Sequence, residues 1–103
     1  MSELRLSADP VPLGATGISV SSLAWGMWRF KGTDVPHAAS LVKAALDAGI
    51  TLFDTADIYG PDNGEGFGAS EALLGRVFAA DAGLRGKMVL ATKGGIRMGV
   101  PYD

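Results

Sequence analysis

The chain has 103 residues, with Lys and Arg totalling 9, Asp and Glu 11, and a formal net charge of −2. That length suits one small domain, and the scattered basic residues form no run of the kind that tracks a phosphate backbone, which argues against a nucleic-acid partner. With no cysteine and a single histidine, His37, disulfides, thiolate chemistry and a His-rich metal cluster are excluded.

The N-terminus, MSELRLSADP, lacks the charged-then-apolar plan of a signal peptide, and no apolar run approaches the ~20 residues needed to span a bilayer. Together with the missing cysteines this points to a cytoplasmic protein without a membrane partner. LRLS and GISV are expected to form a small β-hairpin across ADPVPLGAT, where Pro10 and Pro12 argue against a central strand. SLAWGMW, residues 22–28, reads as a first buried strand stopping near Gly26. In a regular strand Trp25 and Trp28 point to opposite sides, because three residues is an odd step.

A helix follows. Asp34 or Thr33 supplies its cap, and Pro36 is tolerated in a first turn, where the backbone donors have no helical partner. Val35, Ala38, Leu41, Val42, Ala45 and Leu46 recur at three- and four-residue spacing, and Gly49 stops the helix. His37 reads as a solvated first-turn residue, expected at the rim opposite the strand ends discussed below. ITLFD, residues 50–54, is a second strand, buried on both faces.

The loop GPDNGEGFGAS comes next. It lacks the G-x-G-x-x-G spacing of a phosphate cradle directly after a strand, and reads as a flexible active-site loop or a plain linker. Ser70 is expected to cap a second helix with Leu73, Leu74, Val77 and Phe78 on its apolar side, and Glu71 to complement the helix dipole. KMVLATK, residues 87–93, is a third buried strand closed by Gly94 and Gly95. The order strand, helix, strand, helix, strand predicts parallel strands joined by crossover helices, an α/β architecture. A closed barrel of this kind needs about 250 residues, so the chain is expected to be a piece of a larger domain.

Reactive groups in parallel α/β folds gather at the C-terminal ends of the strands. Three such ends carry Gly26–Met27–Trp28, then Asp54 with Tyr59 a few residues on, then Lys93. If they share one rim, these residues converge although they are far apart in sequence. A free phenol, with a pKa of about 10, is a poor acid at neutral pH, and a neighbouring ammonium strengthens it by favouring the phenolate. A carboxylate beside the lysine keeps it charged and in place. Tyr59, Lys93 and Asp54 together thus offer a proton donor aimed at a substrate oxygen. The plainer reading makes Asp54 a capping carboxylate and Tyr59 a surface aromatic. Asp57 fits a structural turn role, and Arg29 and Lys31 read as solvated charge.

LFDTADIYG, with LGATGISVSSLAWGMW before it, GASEALLG after it and VLATKGG later, resembles the N-terminal third of an aldo-keto reductase, and the GGIRMG exit is similar to a bacterial branch of that family. The likeness runs from about Leu13 through Gly95. It implies that the chain supplies the first three strands and two helices of a (β/α)8 barrel, preceded by the short hairpin. It implies NADP(H) as cofactor and reduction of an aldehyde or ketone to an alcohol, with Tyr59 as general acid and Lys93 and Asp54 as its partners. The backbone around Met27 and Trp28, together with Asp54, would touch the cofactor, and Trp28 and Tyr59 would line the substrate pocket. The family also uses a histidine near the end of its fourth strand, and His37 does not match that place. The partners expected are therefore a small carbonyl substrate and the remainder of the barrel, in the same protein or in a companion chain. The alternative is a non-catalytic half-barrel that binds or assembles with another chain.

Overall fold

A computed structural model describes residues 10–60 and 64–95. It opens on a two-stranded antiparallel hairpin, β1 (Val11–Pro12) and β2 (Ser19–Val20), with Val11 opposite Val20. The proline-bearing segment read as the turn thus supplies one arm, and Pro12 is tolerated because that arm is an edge. LRLS, expected as the other arm, lies outside the described residues.

The main sheet has three strands in the order β3 (Ala24–Gly26), β4 (Leu52–Asp54) and β5 (Val89–Ala91), both pairings parallel. Two helices cross between them, α1 (Val35–Asp47) and α2 (Ala69–Ala80). This is the α/β arrangement expected from the alternation. The register aligns Gly26, Asp54 and Ala91 in one row, so the three strands end level with one another. The β4–β5 pairing continues past the strands, through Thr55 N–H to the Ala91 carbonyl (2.8 Å) and Asp57 N–H to the Lys93 carbonyl (3.0 Å).

Side chains alternate across a strand, so Trp25, Phe53 and Leu90, aligned in register, share the face beneath the helices. Phe53 is fully buried there, worth roughly 1.5–3 kcal/mol of apolar transfer. Trp25 meets it at 5.6 Å between ring centroids and meets Phe30 edge-on at 5.5 Å. Ala38, Ala39 and Val42 of α1 and Leu73, Leu74 and Val77 of α2 complete this layer. The opposite face is half open: Leu52, Val89 and Ala91 are partly buried and Ala24 is exposed. The expectation that the second strand is buried on both faces therefore holds for one face only.

Asp34 is the cap of α1, its carboxylate accepting the His37 N–H at 3.0 Å, and Gly49 leaves the helix with φ +94°. Leu41, expected on the apolar side, is 42% exposed, because the side that meets the sheet is centred on Ala38, Ala39 and Val42. Ser70 does not cap α2. Gly68, at φ +81°, holds that position without a side-chain bond, and Ser70 sits one residue inside the helix, buried. A groove of about 340 Å³ runs beside β5 between Leu74, Phe78, Leu90 and Arg85, with the Thr55 hydroxyl buried at its wall. None of Asp54, Tyr59 and Lys93 lines it.

Candidate active site

β4 ends at Asp54 and β5 stops two residues before Lys93, and their parallel register brings the two side chains together. Lys93 Nζ donates to both Asp54 carboxylate oxygens at 2.9 Å and to the Thr55 carbonyl at 2.9 Å. Both side chains remain partly exposed, 37% for Lys93 and 42% for Asp54. Burial pulls the Lys93 ammonium toward deprotonation, but the Asp54 carboxylate and the Tyr59 hydroxyl outweigh it, and its pKa is raised above the ordinary 10.5. Lys93 is therefore charged at neutral pH. The ammonium lies 5.0 Å from the centroid of the Tyr59 ring.

Tyr59 is placed by backbone. Its N–H donates to the Ala56 carbonyl at 3.3 Å and its carbonyl accepts the Ser70 N–H at 3.2 Å, tying it to the first turn of α2. The next residue, Gly60, is buried at φ +151°, and a Cβ there would run into the Gly66 carbonyl oxygen. That oxygen is backbone and cannot swing aside. Gly60→Ala is accordingly expected to displace the Tyr59 loop and to lower the activity of the protein at least tenfold, about 1.4 kcal/mol in the barrier. Steady-state kinetics beside a thermal melt of the same variant check this, and wild-type activity in Gly60→Ala would refute it.

The rim also holds Gly26, Met27 and Trp28. The first strand ends at Gly26 and a 3₁₀ turn, Met27–Arg29, takes over. That turn, more than strand parity, separates the tryptophans: Trp25 packs in the core while Trp28 is 47% exposed, with the Arg29 guanidinium 5.7 Å from its ring centroid. Met27 is fully buried, backbone and side chain alike, and its carbonyl accepts the Phe30 N–H at 3.0 Å, so the exposed residues of this end are Gly26 and Trp28.

Residues 22–102 match the model of the Aldo/keto reductase family. The chain belongs to this family. It is 57% identical over 105 residues to a 6-dehydroglucose reductase from Novosphingobium aromaticivorans, covering 100% of this chain and 34% of that protein. It is 41% identical over 85 residues to an uncharacterized 11.2 kDa protein encoded in the crtE 3′ region of Pseudescherichia vulneris, covering 81% of this chain and 82% of that one. An aldo-keto reductase structure from Pseudomonas aeruginosa superposes with a TM-score of 0.68 at 32% identity, covering 96% of this chain and 37% of that one. The chain thus spans about a third of the length of the 6-dehydroglucose reductase it matches.

In this aldo-keto reductase chain, Asp54, Lys93 and Tyr59 meet at one rim, as the sequence suggests. His37 does not lie at the opposite rim. α1 follows β3 after only residues 27–34, so its first turn is at the same end as the strand termini, where His37 is exposed. The loop after Tyr59 is not free: Glu65 N–H donates to the Gly60 carbonyl at 3.0 Å, and its carboxylate accepts the Gly32 N–H at 3.0 Å. Glu71 accepts a 2.7 Å bond from the Thr92 hydroxyl in addition to its place in the first turn of α2. The Ser70 hydroxyl donates to the Phe30 carbonyl at 2.7 Å. Sequence reasoning missed the Glu65 and Ser70 ties, since neither partner is near in the chain. The repeated glycines around Glu65 were the one available signal.

The residues present fit one end of a nicotinamide cofactor. Trp28 offers an exposed flat ring, Gly26 bare backbone with nothing within 4 Å of a would-be Cβ, and Asp54 a half-exposed carboxylate able to accept further bonds beside Lys93.

Proposed function

We propose that the protein to which this chain belongs is an oxidoreductase that reduces aldehydes or ketones to alcohols with NADPH. The observation that carries this reading is the contact of Lys93 with both Asp54 and the Tyr59 ring at the C-terminal rim of a parallel sheet. A bound nicotinamide cofactor supplies the hydride to the carbonyl carbon. Tyr59 supplies the proton to the carbonyl oxygen, and the phenolate left behind is stabilised by the Lys93 ammonium. Asp54 keeps that ammonium charged and oriented. Trp28 forms a wall of the pocket, and the exposed Gly26 and Trp28 backbone with Asp54 holds the nicotinamide end of the cofactor, while Met27 supports them from the core. The remainder of the barrel, in the same protein or in a companion chain, holds the rest of the cofactor and closes the sheet.

The likeness to a 6-dehydroglucose reductase supports a sugar-derived carbonyl compound as the substrate class. The test is NADPH oxidation, followed by absorbance, with 6-dehydroglucose and with 4-nitrobenzaldehyde. Turnover is expected with at least one of them. No turnover with either, in a protein shown to bind NADPH, would refute carbonyl reduction.

A second reading, a half-barrel that binds or assembles with another chain, has one observation in its favour: the 41% identical protein from P. vulneris is itself matched over 82% of its length. Native mass spectrometry separates the two. A polypeptide or companion chain completing a barrel of about 250 residues supports the reductase, and a stable assembly without one supports the half-barrel.

A further inference from the structure

Two connections flank the Asp54–Lys93 pair at the rim. One, residues 27–34, carries Trp28, and the other, residues 55–68, carries Tyr59. One long-range bond joins them, and a second ties the first of them to α2. At the base, the buried Ser70 hydroxyl holds the Phe30 carbonyl. Farther along both connections, the Glu65 carboxylate accepts the N–H of Gly32. Gly32 stands at φ +105°, a backbone conformation that a residue with a Cβ rarely adopts, so a glycine is what presents this N–H to Glu65. Glu65 also donates its own N–H to the carbonyl of Gly60, the residue after Tyr59. It therefore grips the tyrosine's connection with its backbone and the tryptophan's connection with its side chain.

The proton-donor group is assembled without Glu65. Lys93 binds Asp54 and the Thr55 carbonyl, Asp57 N–H binds the Lys93 carbonyl, and Tyr59 N–H binds Ala56. Removing the Glu65 side chain spares all of these and frees the Gly32 end of the connection that carries Trp28, whose Phe30 end stays held by Ser70.

Resting on the reductase reading above, we infer that Glu65 is a positioning residue: it sets the separation between the Trp28 wall and the Tyr59 hydroxyl, and so governs how well the carbonyl substrate fits rather than how fast its proton is delivered. Because Gln keeps an acceptor oxygen, Glu65→Gln retains the bond to Gly32 and Glu65→Ala loses it.

The experiment compares both variants in the full-length protein. Glu65→Ala is expected to raise KM for the carbonyl substrate about tenfold, with kcat within about twofold of wild type and the pH profile of kcat unmoved. Glu65→Gln is expected to bring KM back to within about threefold of wild type. A fall in kcat at constant KM, a displaced pH profile, or equal damage in the two variants would overturn the inference. Hydrogen exchange at the Gly32 amide reads the bond without any turnover. It is expected to be faster in Glu65→Ala and near wild type in Glu65→Gln, and unchanged exchange in Glu65→Ala would also overturn it. Absence of turnover in the wild-type protein removes the reductase reading, and with it the part Glu65 plays in substrate fit. The exchange result then decides the strut alone.

Discussion

Tyr59→Phe is expected to lower kcat for carbonyl reduction by about 10²–10⁴-fold, the range for losing a positioned general acid. The substitution removes one oxygen, which acts on the Lys93 ammonium, and none of the backbone contacts that hold the loop. Tyr59 is fixed through its own N–H to Ala56, its carbonyl to Ser70, and the close approach of Gly60 to Gly66, all of them backbone contacts that Phe keeps. The thermal midpoint should therefore stay close to wild type, and so should NADPH affinity, since no contact proposed for the cofactor uses the phenol. Measuring kcat, cofactor Kd and melting temperature on one preparation separates these effects. Full turnover in Tyr59→Phe would take the proton donor out of the mechanism.

Lys93→Met is expected to reduce kcat by at least 10²-fold, for a different reason: the phenol remains, but the charge that stabilises its conjugate base is gone. Met approximates the length and apolar stem of lysine, so the site keeps much of its packing. The Asp54 carboxylate loses its partner, but it is 42% exposed and water replaces the ammonium. The cost in stability should be about 1 kcal/mol or less, the usual range for an exposed ion pair.

The pH dependence of that cost follows from the direction of the Lys93 shift. Its folded-state pKa is raised above 10.5, so the contribution is complete below the unfolded value and disappears as pH rises through the folded one. The stability difference between wild type and Lys93→Met should be constant from near neutrality to about pH 9 and shrink only above the ordinary lysine value, about 10.4. Denaturant unfolding of both proteins at several alkaline pH values measures this. A difference that vanishes already below pH 9 would mean that Lys93 is not the group holding Asp54.

Much of the fold and of the site was legible because the signals are local. Ala38 and Val42, or Leu73, Leu74 and Val77, recur at helical spacing since one side of each helix must be buried. ITLFD and KMVLATK are short apolar runs of the sort that end in a parallel sheet. Once the strands are parallel, Asp54 and Lys93 must lie at neighbouring ends, and Tyr59 close by. Strand alternation alone does not account for the different settings of Trp25 and Trp28, since the 3₁₀ turn after Gly26 is not visible in it. Serine is a common capping residue, so Ser70 suggests a cap, whereas its hydroxyl donates to the Phe30 carbonyl 40 positions earlier.

By itself, then, the sequence determined the alternation of strands and helices, the apolar side of each helix, and the three residue types that could move a proton. Tertiary structure alone decided that Leu41 stays outside, that Met27 is wholly buried, that Ser70 ties to Phe30, and that Glu65 reaches Gly32. The reason is physical. Burial periodicity is set by neighbours within one or two turns of chain. A hydrogen bond between residues 33 or 40 positions apart depends on the path of the connections after two different strands, which no local pattern encodes.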